Sequence, residues 1–148
     1  MTLGKALNTR KAMQLLAKSS ELSKQGKLGE ATAATGNAVD AAQDAFGGDS
    51  FVTAAMLNAQ AESYKAQGQL DQAIAVLERS VAIWEKQKET GNAQLDYQVV
   101  GGTASTMQQL AELYEQRGRN AEAIVLLNKA LPLWERVANW PGMAKPID

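Results

Sequence analysis

Residues 57–84, LNAQAESYKAQGQLDQAIAVLERSVAIW, and residues 107–134, MQQLAELYEQRGRNAEAIVLLNKALPLW, decide the fold once one is laid over the other. Each has a tyrosine four positions before a glycine (Tyr64 and Gly68, Tyr114 and Gly118). Each has an alanine five positions after it (Ala73, Ala123), a leucine nine after (Leu77, Leu127) and a tryptophan sixteen after (Trp84, Trp134). A degenerate third copy surrounds Gly26, with Leu22, Ala31, Thr35, Ala38, Val39 and Ala42 in the same places. Gly26 and Gly68 stand 42 residues apart, and Gly68 and Gly118 stand 50 apart. An internal repeat of this length means stacked supersecondary units.

Each unit reads as a helical hairpin. Ala54, Leu57, Ala61 and Tyr64 form one stripe at helical period before the glycine, and Ala73, Ile74, Leu77, Val81 and Trp84 form another after it. The glycine between them supplies the left-handed backbone that ends a helix. Ala61, Ala73, Ala111 and Ala123 let the two helices approach closely. Asp49 or Ser50 is expected to cap the first helix of the second unit. Thr103, after the Gly101-Gly102 pair, is expected to cap that of the third. Pro132 is expected to kink the last helix or adjust it locally. Beyond Val137 the period stops, and Trp140-Pro141-Gly142 opens an irregular tail.

Composition agrees with helices and removes much catalytic chemistry. The chain has 148 residues, 45% of them hydrophobic and 5% aromatic, with 3 prolines. It has 0 histidines and 0 cysteines, which excludes a disulfide framework, a thiol nucleophile, imidazole ligands and the usual general base. Lys+Arg 15 against Asp+Glu 16 gives a net charge of −1, which argues against nucleic acid as a partner. The charge is uneven: Lys5, Arg10, Lys11, Lys18, Lys24 and Lys27 face only Glu21 in residues 1–27, a solvated helix face or a means of steering an acidic partner. No apolar run has the length of a signal peptide or a spanning helix, so a soluble cytoplasmic protein without a membrane partner is expected.

The series Ala61, Tyr64, Gly68, Ala73, Leu77 and its counterpart Ala111, Tyr114, Gly118, Ala123, Leu127, Ala130 resembles the tetratricopeptide repeat (TPR). That repeat is usually about 34 residues long. The longer interval here, with the joint Ala45 to Val52, resembles the kinesin-light-chain subtype. The joint prolines of that subtype are missing, and the second interval, which contains the joint Thr90 to Thr103, is eight residues longer. The resemblance spans about residues 10–138. It implies an all-α fold, a right-handed superhelical stack of three helix-turn-helix repeats. These would be about residues 8–46, 50–90 and 103–138 of one domain covering 1–138, with 139–148 as the tail.

Such a stack lines its concave wall with the first helix of each hairpin. The outward positions of those helices are Met13, Leu16, Ser20, Ser23 and Lys24, then Ala55, Asn58, Glu62 and Lys65, then Ser105, Gln108, Glu112 and Glu115. The candidate groove is therefore Met13, Leu16, Ser20, Lys24, Asn58, Glu62, Lys65, Ser105, Gln108 and Glu112. Its amides and hydroxyls suit an extended peptide, which carries a donor and an acceptor at each residue. Asn58 is placed at the centre, because a short amide is a poor choice for a plain helix interior. On that reading Asn58→Ala leaves stability nearly unchanged. The family's carboxylate clamp for chaperone tails needs Lys, Asn and Arg side chains. Its positions here hold Leu16, Ser20, Ala59, Ser105 and Gln109, so that clamp is not expected.

Other features carry little chemistry. Glu112 and Glu115 are paired acids without a histidine or a third acid to make a metal or acid–base site. Gly101 to Thr106 lacks the lysine and spacing of a phosphate loop, and reads as a joint with a cap. Glu85, Lys86, Lys88 and Glu89 read as a solvated helix end. Trp84 and Trp134 read as core between repeats, while Trp140 either covers the end of the last hairpin or meets a neighbour. The expectation is a non-enzymatic interaction module or scaffold without cofactor or metal, holding a peptide or a partner's helix. The alternative is a self-assembling adaptor, a homodimer through the apolar face Ile124, Leu127, Leu131 and Trp134 of the C-terminal helix.

Overall fold

The computed structural model describes residues 2–142 and is all-helical there. Its elements are α1 (Leu3–Lys24), α2 (Leu28–Phe46), α3 (Phe51–Ala66), α4 (Leu70–Glu85), α5 (Ala93–Gln116) and α6 (Asn120–Ala138). They pack as consecutive pairs, α1 with α2, α3 with α4 and α5 with α6. The chain divides into two compact units, Met1–Gln87 and Lys88–Asp148. The first holds two pairs and the second holds one.

The three turns are built identically. Gly26, Gly68 and Gly118 have φ of 77°, 74° and 76°. The N–H after each glycine reaches back to the carbonyl four residues before it: Lys27 to Leu22 at 2.9 Å, Gln69 to Tyr64 at 2.9 Å and Arg119 to Tyr114 at 2.7 Å. Each glycine N–H bonds the carbonyl three residues back, which completes the Schellman end of the helix. So Leu22, Tyr64 and Tyr114 stand at the same point of the turn, where their carbonyls close it.

In the first unit, alanines do the packing. Ala31, Ala38, Ala42, Ala54, Ala61 and Ala73 are fully buried. With little side chain between them the helices lie close enough for hydroxyls to reach across. Ser19 of α1 donates to the carbonyl of Ala31 in α2 at 3.0 Å, and Ser80 of α4 to that of Ala54 in α3 at 3.1 Å. α3 also packs on α2 and reaches α1. Thr35, Val39 and Ala42 of α2 are buried at 1%, 4% and 0% exposure. Ser50 is the N-cap of α3, its hydroxyl accepting from Val52 N–H at 3.1 Å, as the sequence leads one to expect. The joint before α3 is tied to the end of α4, where Lys86 pairs with Asp49 and Gln87 donates to the Asp49 carbonyl at 2.7 Å.

The second unit departs from expectation at its start. Gly101-Gly102-Thr103 is not a joint and Thr103 is not a cap. All three lie inside α5, whose N-cap is Asn92, with its side chain accepting from Leu95 N–H at 3.0 Å. Thr103 is buried and donates to the Val99 carbonyl at 2.7 Å. Two glycines cost a helix roughly 2 kcal/mol against alanine. Here a well-capped first turn and packing of the extended helix outweigh that cost. Gly101 faces α6, where a Cβ would meet Val137 Cγ2 at 4.0 Å. α6 runs on through Pro132 to Ala138.

Candidate functional site

α1 and α3 of the first unit border an open depression of about 340 Å3. It is lined by Leu16, Ser19, Ser20 and Ser23 from α1, Thr35 from α2, and Ala59, Glu62 and Ser63 from α3. Its position follows from the hairpin geometry. α3 lies against α2 and only reaches α1, so a trough is left where the two first helices of the repeats diverge. Leu16 and Ala59 give the trough an apolar strip, and five hydroxyls surround it. Three of these are held by backbone carbonyls: Ser19 donates across to Ala31 of α2, and within their own helices Thr35 donates to the Thr32 carbonyl at 2.8 Å and Ser63 to the Ala59 carbonyl at 3.3 Å. Their oxygens keep acceptor capacity for a ligand N–H. Ser20 and Ser23 are exposed at the rim.

Of the groove residues expected from sequence, Leu16, Ser20 and Glu62 come together here. Lys65 stands beside them through an ion pair with Glu62 at 3.2 Å, so the rim is nearly neutral. Met13 and Lys24 are exposed on α1 but outside the lining. Asn58 is outside the lining and makes a contact within the pair. Its Oδ1 accepts the hydroxyl of the fully buried Ser80 at 2.6 Å, so the amide that looked wasteful in a helix joins α3 to α4.

Ser105, Gln108 and Glu112 belong to the second unit, where they run along α5. Gln108 Nε2 donates to Glu112 Oε1 at 3.4 Å, and Ser105 Oγ accepts from Gln109 Nε2 at 3.3 Å. Among the described residues no group of three acidic, histidine or cysteine side chains could hold a metal ion. No described helix is long and apolar enough to cross a membrane.

Sequence reasoning missed a second cluster, at the base of the second unit. Asp96 is buried and accepts from Thr90 N–H at 2.8 Å, Thr90 Oγ1 at 2.9 Å and Gly91 N–H at 3.1 Å. The Thr90 N–H above all holds this carboxyl below the ordinary aspartate range, with its hydroxyl, the Gly91 N–H and the Arg136 charge adding to the effect and partial burial opposing it. Arg136 pairs with Glu89 and lies 5.7 Å from the ring centre of Trp140. Trp140 meets Tyr97 edge-on at 5.6 Å. So Trp140 covers the start of α5, and Glu89, part of the solvated charge run, pairs with Arg136 of α6 while both side chains stay exposed. The Thr90-Gly91-Asn92 run followed by Asp96 was the visible signal, since such side chains start helices.

Comparison with protein families gives two matches. Residues 20–86 fit one family model described as Tetratricopeptide repeat, and residues 103–141 fit a second of the same description. Both are of the kinesin-light-chain-like kind. The first match contains all of α3 and the end of α1, and with them Ser20, Ser23, Thr35, Ala59, Glu62 and Ser63 of the trough. Comparison with curated proteins finds no match.

Proposed function

We propose that this chain, which belongs to the tetratricopeptide-repeat family, holds a peptide or a partner's helix in the trough between α1 and α3. Domains of this family mediate protein–protein interaction. The specific reading rests on one observation, the depression where Leu16, Ser20 and Ser23 of α1 face Ala59, Glu62 and Ser63 of α3. An apolar strip bordered by hydroxyls favours an extended segment that places a small apolar side chain over Leu16 and Ala59. Its backbone N–H groups would meet the serine oxygens. Glu62, neutralised by Lys65, leaves no strong field, so a strongly acidic tail gains nothing from this site. The action is non-enzymatic, a scaffold that brings a partner to its place.

The test uses a peptide selected from a displayed random library on the immobilised chain. Titrated into isotope-labelled protein, it should move the amide signals of residues 16–23 of α1 and 59–63 of α3. Shifts confined to α5 and α6 would sink the reading.

A second reading, self-association through α6, has its own support. Ile124, Leu127, Leu131 and Trp134 are 58%, 39%, 58% and 37% exposed.

A further inference from the structure

In the first unit the stripe of α2 that corresponds to these four residues is covered by the helix that follows it, which is why Thr35, Val39 and Ala42 are buried. No described element follows α6. Its stripe at positions 124, 127, 131 and 134 is more apolar than that of α2 and open to solvent. Resting on the second reading above, we propose that a second copy of this chain covers it, with the two α6 helices antiparallel about a two-fold axis level with residue 129.

The stripe is complementary to itself in that register. Reversed about position 129, Ile124 meets Trp134 of the copy and Leu127 meets Leu131 of the copy. Asn120 and Ala138, in line with the stripe at its two ends, also fall opposite one another, so bulky residues meet bulky ones and the small end is left for the amide. Side chains recur on one helical face at intervals of three and four, and Lys129 projects from the opposite flank. No like charges therefore meet on the axis. Glu135, the one charged residue at the edge of the stripe, comes level with the first turn of the copy's α6, where the helix dipole is positive. A two-fold contact of this kind closes on itself. Docking of the stripe on a different surface of another copy would give open filaments instead. The depression between α1 and α2 of the first unit carries Lys18, Lys27 and Glu30 around Leu15 and Leu22, a poor match for an apolar stripe. With only four large apolar residues on each side the contact falls at the small end of specific interfaces, so the dimer forms and dissociates with concentration.

The chain has no cysteine, which makes the register directly measurable. Light scattering after size exclusion should show a monomer that becomes a dimer towards sub-millimolar concentration. Leu131→Asp, or Ile124→Asp should the first fold poorly, should abolish the dimer while the helical far-ultraviolet spectrum stays intact. Under mild oxidation Asn128→Cys should cross-link to itself, and Ile124→Cys should cross-link to Trp134→Cys when the two variants are mixed. A chain that remains monomeric at the highest concentration overturns self-association altogether. A dimer that survives both aspartate variants, or one in which Ile124→Cys cross-links to itself in preference to Trp134→Cys, keeps self-association and overturns this face and register. Filament growth overturns the two-fold contact.

Discussion

The hydroxyl of Ser80 lies 2.6 Å from Asn58 Oδ1 and 3.1 Å from the carbonyl oxygen of Ala54, a polar joint between α4 and α3 in a region otherwise packed by alanine. The amide at 58 gives the buried hydroxyl the shorter of its two acceptors, and a hydrogen bond of this kind is worth about 1 kcal/mol. Asn58→Ala should therefore lower stability by about 1 kcal/mol, against the neutrality that its sequence context leads one to expect. A double-mutant cycle with Ser80→Ala in urea unfolding checks this. A coupling indistinguishable from zero would separate the two residues.

Ala73→Leu and Ala123→Leu should each destabilise by about 1–3 kcal/mol, because the added methylenes have no room where the helices of a pair meet. Both alanines are buried, at 0% and 1% exposure. Unfolding midpoints that do not move for either variant would mean that the packing of the pairs is wrong.

Glycines in this chain should respond in opposite directions. Gly68 has φ of 74°, so Gly68→Ala should cost about 1 kcal/mol or more. Gly101 sits within α5, and a Cβ there meets only Val137 Cγ2, at an ordinary 4.0 Å. Gly101→Ala should raise stability by about 0.5–1 kcal/mol. A loss at Gly101 would show that a joint, and not a helix, occupies this position.

Asp96 gives a pH dependence with a definite sign. Its carboxyl is held below the ordinary range of about 4, so the folded state binds the proton less readily than the unfolded chain. The stabilisation is present in full above that range. It is lost as pH falls from there through the folded-state value. Asp96→Asn should therefore flatten the acid side of the stability curve, read from thermal midpoints between neutral pH and acid. A variant curve parallel to that of the parent would contradict the three hydrogen bonds to Asp96.

The hairpins were legible because their turns depend on one residue type. Only glycine accepts the positive φ at 26, 68 and 118, and the tyrosines and alanines then fall at fixed distances from it. The start of α5 was not legible, because two adjacent glycines and a threonine are the ordinary punctuation of a joint. Packing of Gly101 against Val137 is a tertiary fact that no local pattern announces. In the trough, helical period alone placed Leu16, Ser20 and Glu62 on outward faces. It could not place Asn58, whose partner Ser80 is 22 residues away on another helix. The Arg136 side of the cluster near Asp96 was hidden for the same reason, since Glu89 and Arg136 lie 47 residues apart in the chain.

A peptide held in the trough between α1 and α3 is the core of the proposed function. It is tested most directly by the affinity of one library-selected peptide for the parent chain and for Ser20→Arg, a rim substitution on an exposed position of α1. Affinity should weaken by about tenfold or more, with an unchanged helical spectrum. Equal affinity in the two proteins would contradict it.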